Sequence, residues 1–265
     1  MKKILLSVLF LTVVLALAAH EFWLDPGKYF YQKGETVNLR FMVGENFIGE
    51  NWTGNKSKVH RLDLYSANGS QSLTGRISAS VGDSLRFPLE NEGTQLICFN
   101  STNSFISLPP KEFNEYLEED HLADAIRYRN NHGETDSTGR EFYQRSVKTI
   151  IQVGNVFTNT FSLETSLPLD IIPLQNPYRL DPDDSLSIRV LFRGKPLSNQ
   201  VMLVWHRNKE IFLKVSYRTN QQGEIRFPVM STSTWMVSTV RMERIKKGDR
   251  ADWQSYWGSL TWGYH

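Results

Sequence analysis

Ser185 to Phe192 alternates polar and apolar residues one by one, with Leu186, Ile188, Val190 and Phe192 on one side. A period of two is the signature of a strand with one buried face, and it recurs along this chain. Thr36 to Val43 repeats it through Val37, Leu39, Phe41 and Val43, and Val59 to Tyr65 through Leu62 and Leu64. Ser84 to Leu89, Thr94 to Asn100, Val201 to His206, Phe212 to Tyr217, Glu224 to Val229 and Trp235 to Met242 also read as strands. Turn-forming clusters separate them, among them Ala67-Asn68-Gly69-Ser70, Glu90-Asn91-Glu92-Gly93 and the tight hairpin signal Arg193-Gly194-Lys195-Pro196-Leu197. Short strands at this spacing predict a mainly β chain with two β-sandwich domains of immunoglobulin- or transthyretin-like appearance. Gly44 to Ser57 reads as a polar loop. Trp253 to Trp257 reads as an aromatic-rich turn before a last strand, Gly258 to Trp262.

One region departs from this pattern. Phe113, Tyr116 and Leu117 fall at i, i+3 and i+4, the apolar stripe of a helix, and Leu122, Ala125 and Ile126 extend it after a charged break. The expected organisation is a leader over 1–19 and a first sandwich over 20–108. A helical insert with its return strand follows over 109–166, and a second sandwich over 167–265.

The leader reading rests on Lys2 and Lys3, followed by an uncharged apolar run from Ile4 to Leu17 and small residues at Ala16, Ala18 and Ala19. That is the layout of a cleaved signal peptide, so a periplasmic or secreted protein is expected. Cleavage after Ala18 leaves Ala19 first and His20 second; cleavage after Ala19 leaves His20 first. The leader takes two of the 30 basic residues and none of the 28 acidic ones, which balances the remainder. Nucleic-acid binding normally carries a basic excess, and none is expected here. Cys98 is the only cysteine, so no intrachain disulfide can form, and its apolar setting in Gln95 to Phe99 predicts burial.

The common signatures of catalysis are missing. No G-x-S-x-G elbow, phosphate-binding glycine loop, H-E-x-x-H or C-x-x-C occurs, and no enzymatic role is expected. Carboxylates are plentiful, but their number alone identifies no pair. The six histidines are more informative. His20 stands at or next to the α-amine that leader removal would free. As residue one, its amine and ring nitrogen can chelate a metal together. As residue two, amine, amide and imidazole make a planar nitrogen set of the kind that selects Cu(II) or Ni(II). His206, at the end of the strand Val201 to His206, is the candidate second ligand. His60, at the start of a first-domain strand, is a weaker ligand candidate, His121 and His132 read as solvated, and His265 reads as a mobile chain end. Five of the seven tryptophans lie late in the chain, with Trp253, Trp257 and Trp262 close together. They suit either a packed interior or a sugar-stacking surface.

Several stretches carry a resemblance to a known family. Ala19-His20-Glu21-Phe22-Trp23-Leu24-Asp25-Pro26 directly after the leader resembles the opening of a bacterial domain-of-unknown-function family related to NikM, the substrate-specific component of nickel uptake. Gly139 to Tyr143 running to Gly154, Arg189 to Leu197, and Ala251 to Thr261 match it in the same order. The resemblance implies an envelope protein tied to divalent metal uptake, capturing Ni or Cu for a membrane transport component. NikM-type proteins use a His at position two to hold Ni, which corresponds to His20 if cleavage follows Ala18. Many family members carry a His in the strand matching Ser238 to Met242, where this chain has Arg241. The rival expectation is a carbohydrate- or protein-binding envelope module without a metal.

Overall fold

The computed structural model describes residues 21–52, 56–77, 85–181, 184–209, 211–246 and 250–264. The expected leader, the candidate ligand His20 and the terminal His265 lie outside them. The described strands are, in chain order, β1 (Glu21–Asp25), β2 (Phe30–Tyr31), β3 (Thr36–Glu45), β4 (Ile48–Asn51), β5 (Val59–Ser66), β6 (Gly69–Ser72), β7 (Leu85–Pro88), β8 (Gly93–Ser101) and β9 (Ser104–Leu108). Helices α1 (Pro110–Glu119) and α2 (Ala123–Asn131) follow. The remaining strands are β10 (Gly139–Val153), β11 (Leu169–Pro173), β12 (Ser185–Phe192), β13 (Lys195–Pro196), β14 (Val201–Arg207), β15 (Phe212–Arg218), β16 (Glu224–Pro228), β17 (Thr234–Arg244) and β18 (Trp253–Gly263).

Ten of these strands form one sheet in the order β15-β14-β17-β18-β10-β8-β5-β6, with β2 and β9 also paired to β10. Two smaller sheets cover it: β1-β3-β4 with β7 on β3, and β11-β12-β13 with β16 on β12. The fold is therefore mainly β and built of packed sheets. The two cores flank one central sheet, and alternation along its strands shows how. Ile97 and Phe99 of β8 and Ile151 and Val153 of β10 join the first core, with Phe22, Leu24, Leu39 and Phe87. Leu96 and Ile150, one residue out of phase, join the second core, with Ile188, Val190, Phe227, Leu260 and Trp262. Each fully buried Leu or Phe contributes about 1.5–3 kcal/mol, so both cores are substantial.

The seam between the halves is the parallel pairing of β10 with β18, from Glu141 opposite Trp253 to Thr149 opposite Thr261. This overturns the turn reading of Trp253 to Trp257, which is strand throughout. Strands buried on both faces lose the polar–apolar alternation that identifies a half-exposed strand. The polar loop expected over Gly44 to Ser57 is likewise in part a hairpin. Asn46 and Phe47 both take positive φ, 55° and 57°, and form the two-residue turn joining β3 to β4. Arg193 and Gly194, also at positive φ, turn β12 into β13 as their sequence predicts.

The helices cover the central sheet on the β1 side. Pro110 opens α1, where its missing N–H is harmless, and Phe113, Tyr116 and Leu117 form its buried face. They pack with Leu122 and Ala125 against Val240, Met242, Trp253 and Trp257. His121, at φ 56°, breaks the two helices apart. Cys98 is fully buried, and burial pushes its thiol pKa up.

Candidate functional site at the start of the first strand

Strand β1 lies across the central sheet and is pinned there by side chains beneath it. Ser259 donates to the Phe22 carbonyl at 2.6 Å and Thr261 to the Leu24 carbonyl at 3.0 Å. Trp23 packs with Met42, Trp205 and Met236. These contacts carry Glu21 inward, so that it is only 8% exposed. Its Oε1 accepts a hydrogen bond from Ser238 of β17 at 3.0 Å, and the Trp205 indole donates to that serine at 2.9 Å. Burial pushes the Glu21 carboxyl up to about 7, against the opposing effects of the Ser238 bond and of Lys214 on β15; Glu45 raises it further.

A second carboxyl lies on the same side of the sheet. Glu141, near the start of β10, is 2% exposed. Its Oε1 accepts from Tyr116 of α1 at 3.2 Å and from Ser255 of β18, whose oxygen accepts in turn from the Trp257 indole at 3.0 Å. Tyr116 stacks on Trp257 at 6.0 Å and 9°. The other oxygen, Oε2, is sealed from solvent without a hydrogen-bond partner. Burial pushes this carboxyl up to about 7 as well, despite those donors.

Asp120, the residue that ends α1, completes the group. Its Oδ2 is sealed and has no hydrogen-bond partner. Burial first, then the charges of Glu21, Glu141 and Glu119, raise its carboxyl well above the usual aspartate range. Glu21 and Glu141 are thus two buried carboxyls on one side of the central sheet, and their charges act on the part-buried Asp120. None forms an ion pair with a described lysine, arginine or histidine. Sequence reasoning missed this arrangement, because Glu21 is remote in sequence from Asp120 and Glu141 and no local pattern brings them together.

His206 is 5% exposed and lies elsewhere. Along β14, Leu203 and Trp205 face β1, whereas Met202 and Val204 face the second core. His206 follows Val204 to that opposite face and stacks on Trp235 at 4.8 Å. Its Nδ1 shares a hydrogen bond with Ser233 at 3.3 Å, its Nε2 is buried without a partner, and burial lowers its pKa. The central sheet thus separates its ring from Glu21. Arg241 makes an ion pair with Asp124 at 3.6 Å. His60 is exposed, and His121 and His132 are exposed as expected. Trp253, Trp257 and Trp262 are 2%, 8% and 0% exposed and fill the interior, so they offer no sugar-stacking surface. Among the described residues, no three His, Cys, Asp or Glu side chains converge closely enough to hold a metal ion.

Fold and site together define a layered β-sandwich protein with a buried acidic group where its first strand begins. The chain belongs to the family described as a domain of unknown function, DUF4198, whose model matches residues 17–243. No curated protein matches it. Among solved structures, it is similar to the D0-D1 domain of intimin at 10% identity, over 92% of this chain and 97% of that one, with a TM-score of 0.23.

Proposed function

We propose that this is an exported accessory protein that captures Ni or Cu at its mature N-terminus and passes it to a membrane uptake partner. The observation that carries this reading is the buried carboxyl of Glu21, which directly follows residue 20 in the chain and lies on the same side of the central sheet as the buried Glu141. Leader removal would free an amine on Ala19 or His20, and that amine with the His20 imidazole supplies nitrogen donors. The Glu21 carboxyl offers an oxygen donor beside them, and mixed nitrogen and oxygen sets of this kind favour Cu(II) and Ni(II). The resemblance of Ala19 to Pro26 to proteins related to NikM supports a role in metal uptake. His206 is a poorer partner for His20 than the carboxyl groups, because it faces the other side of the central sheet. Among the described residues no helix is long and apolar enough to cross a membrane.

Titration of the mature, metal-stripped chain with Ni and with Cu, followed by calorimetry, tests the reading. His20→Ala and Glu21→Gln should each weaken binding by at least tenfold. Binding unchanged in both variants would remove the site.

A further inference from the structure

Arg140, Arg189 and Arg244 each hold a carboxylate closely, at 2.8, 2.5 and 2.9 Å. Three other arginines do not, and they meet in one place. Arg127, Arg218 and Arg241 line a cleft of about 280 Å³ bounded by the first turn of α2, the start of β14, the end of β15 and β17. Asp124 is the one carboxylate among its lining residues. Three guanidinium groups against one carboxylate leave an excess of two positive charges on the cleft wall.

The contacts these arginines make leave them free to take another acceptor. The Arg218 guanidinium donates to neutral oxygens of Asn199, the carbonyl at 3.2 Å and the side chain at 3.4 Å. Arg127 and Arg241 share Asp124, at 3.5 and 3.6 Å. At such distances the charges attract, but no good hydrogen bond is formed. Asp124 and Arg127 are both 69% exposed, so solvent screens their contact and leaves it weak. The walls behind the arginines are fixed. The Gln200 amide ties the start of β14 to β17 through Thr239 Oγ1 and the Val240 carbonyl, both at 2.9 Å. Leu122, Val240 and Met242 are buried together in the core under the helices.

Guanidinium groups are planar forks that match phosphate oxygens two at a time, and a cleft concentrates their field. A phosphate monoester carries about −1.5 to −2 charge near pH 7, which matches the excess of two. The cleft is near the lower bound of small-ligand sites, roughly 300 Å³, so it suits a small ester. We infer that this cleft binds a phosphate monoester, with Arg127, Arg218 and Arg241 holding the phosphate group in place of the weak contacts to Asp124. None of the residues in the metal-capture proposal lines the cleft, so the two readings fail separately.

The test is calorimetric titration of the purified full chain with glucose 6-phosphate, and with glucose as the uncharged control, at low salt and pH 7.5. The ester should bind and glucose should not. Arg127→Gln and Arg218→Gln, both at exposed positions, should each weaken binding at least tenfold, whereas Arg226→Gln on β16 should leave it unchanged. Asp124→Asn should tighten binding at least threefold, because it removes the competing carboxylate. No binding of the ester would overturn the inference, as would equal affinity in the parent and both cleft variants, or equal loss in Arg226→Gln. A lipid headgroup is the other source of the same chemistry. Sedimentation with phosphatidic acid vesicles that glucose 6-phosphate cannot reverse would overturn the assignment to a small soluble ester.

Discussion

Glu21 and Ser238 are 217 residues apart in the chain and share a hydrogen bond of 3.0 Å. Through this contact the start of the first strand is set by a strand near the end of the chain. Ser238 also accepts from the Trp205 indole at 2.9 Å, so it serves two buried polar groups at once. Ser238→Ala would leave both without that partner. It is expected to cost about 1–3 kcal/mol, measured by urea denaturation at pH 7. A loss below the error of the measurement would mean that water replaces the serine.

Lys148 and Asp170, 1% and 2% exposed, form an ion pair between β10 and β11. Lys148 also donates to the Leu163 and Ile171 carbonyls, each at 3.3 Å, and Asp170 accepts from the Thr165 amide at 2.7 Å. Lys148→Met leaves an uncompensated buried carboxylate and should destabilise by about 3–5 kcal/mol. Adding Asp170→Leu should recover part of that loss. A double variant that is worse than the sum of the singles would contradict this picture of the pair.

Gly139, at the start of β10, lies directly against the ring of Phe113, where an added Cβ would collide with the ring carbons. Phe113 is fully buried on α1. Gly139→Ala is therefore expected to cost about 1–3 kcal/mol through overpacking. Because α1 carries Tyr116, which donates to Glu141, the same change should also weaken metal capture. Intact stability and affinity would show that the helix shifts without consequence for the site.

His206 is stacked on Trp235 with a buried, unbonded Nε2. His206→Phe keeps the stacking and removes the unsatisfied nitrogen. Stability should hold or rise by up to about 1 kcal/mol, and Ni and Cu affinity should be unchanged. A tenfold loss of affinity would make His206 a ligand after all.

The sequence made the half-exposed strands legible, because Ser185 to Phe192 and Thr36 to Val43 show one buried side each. The helical stripe of Phe113, Tyr116 and Leu117 was equally readable, as was the Arg193-Gly194 turn. Two things were not. The start of β18, in parallel contact with β10 and covered on both sides, has no alternation and read as a turn. The hairpin at Asn46-Phe47 was hidden because Phe47, at φ 57°, stands where a glycine would have signalled the turn. The acidic site was illegible for a different reason. Local periodicity says which way Glu141 points relative to its neighbours, but not that Glu21 and Asp120 arrive on the same face. That convergence depends on pairings such as β10 with β18 and on the crossing of β1 over the sheet.

The most direct measurement is native mass spectrometry of the protein recovered from the envelope of the exporting host. It reports the mature N-terminus and any bound metal in one spectrum. The expected result is a chain beginning at Ala19 or His20 that carries one Ni or Cu ion, with the ion lost in His20→Ala. A correctly cleaved chain that remains bare when Ni or Cu is added would contradict metal capture at the mature terminus.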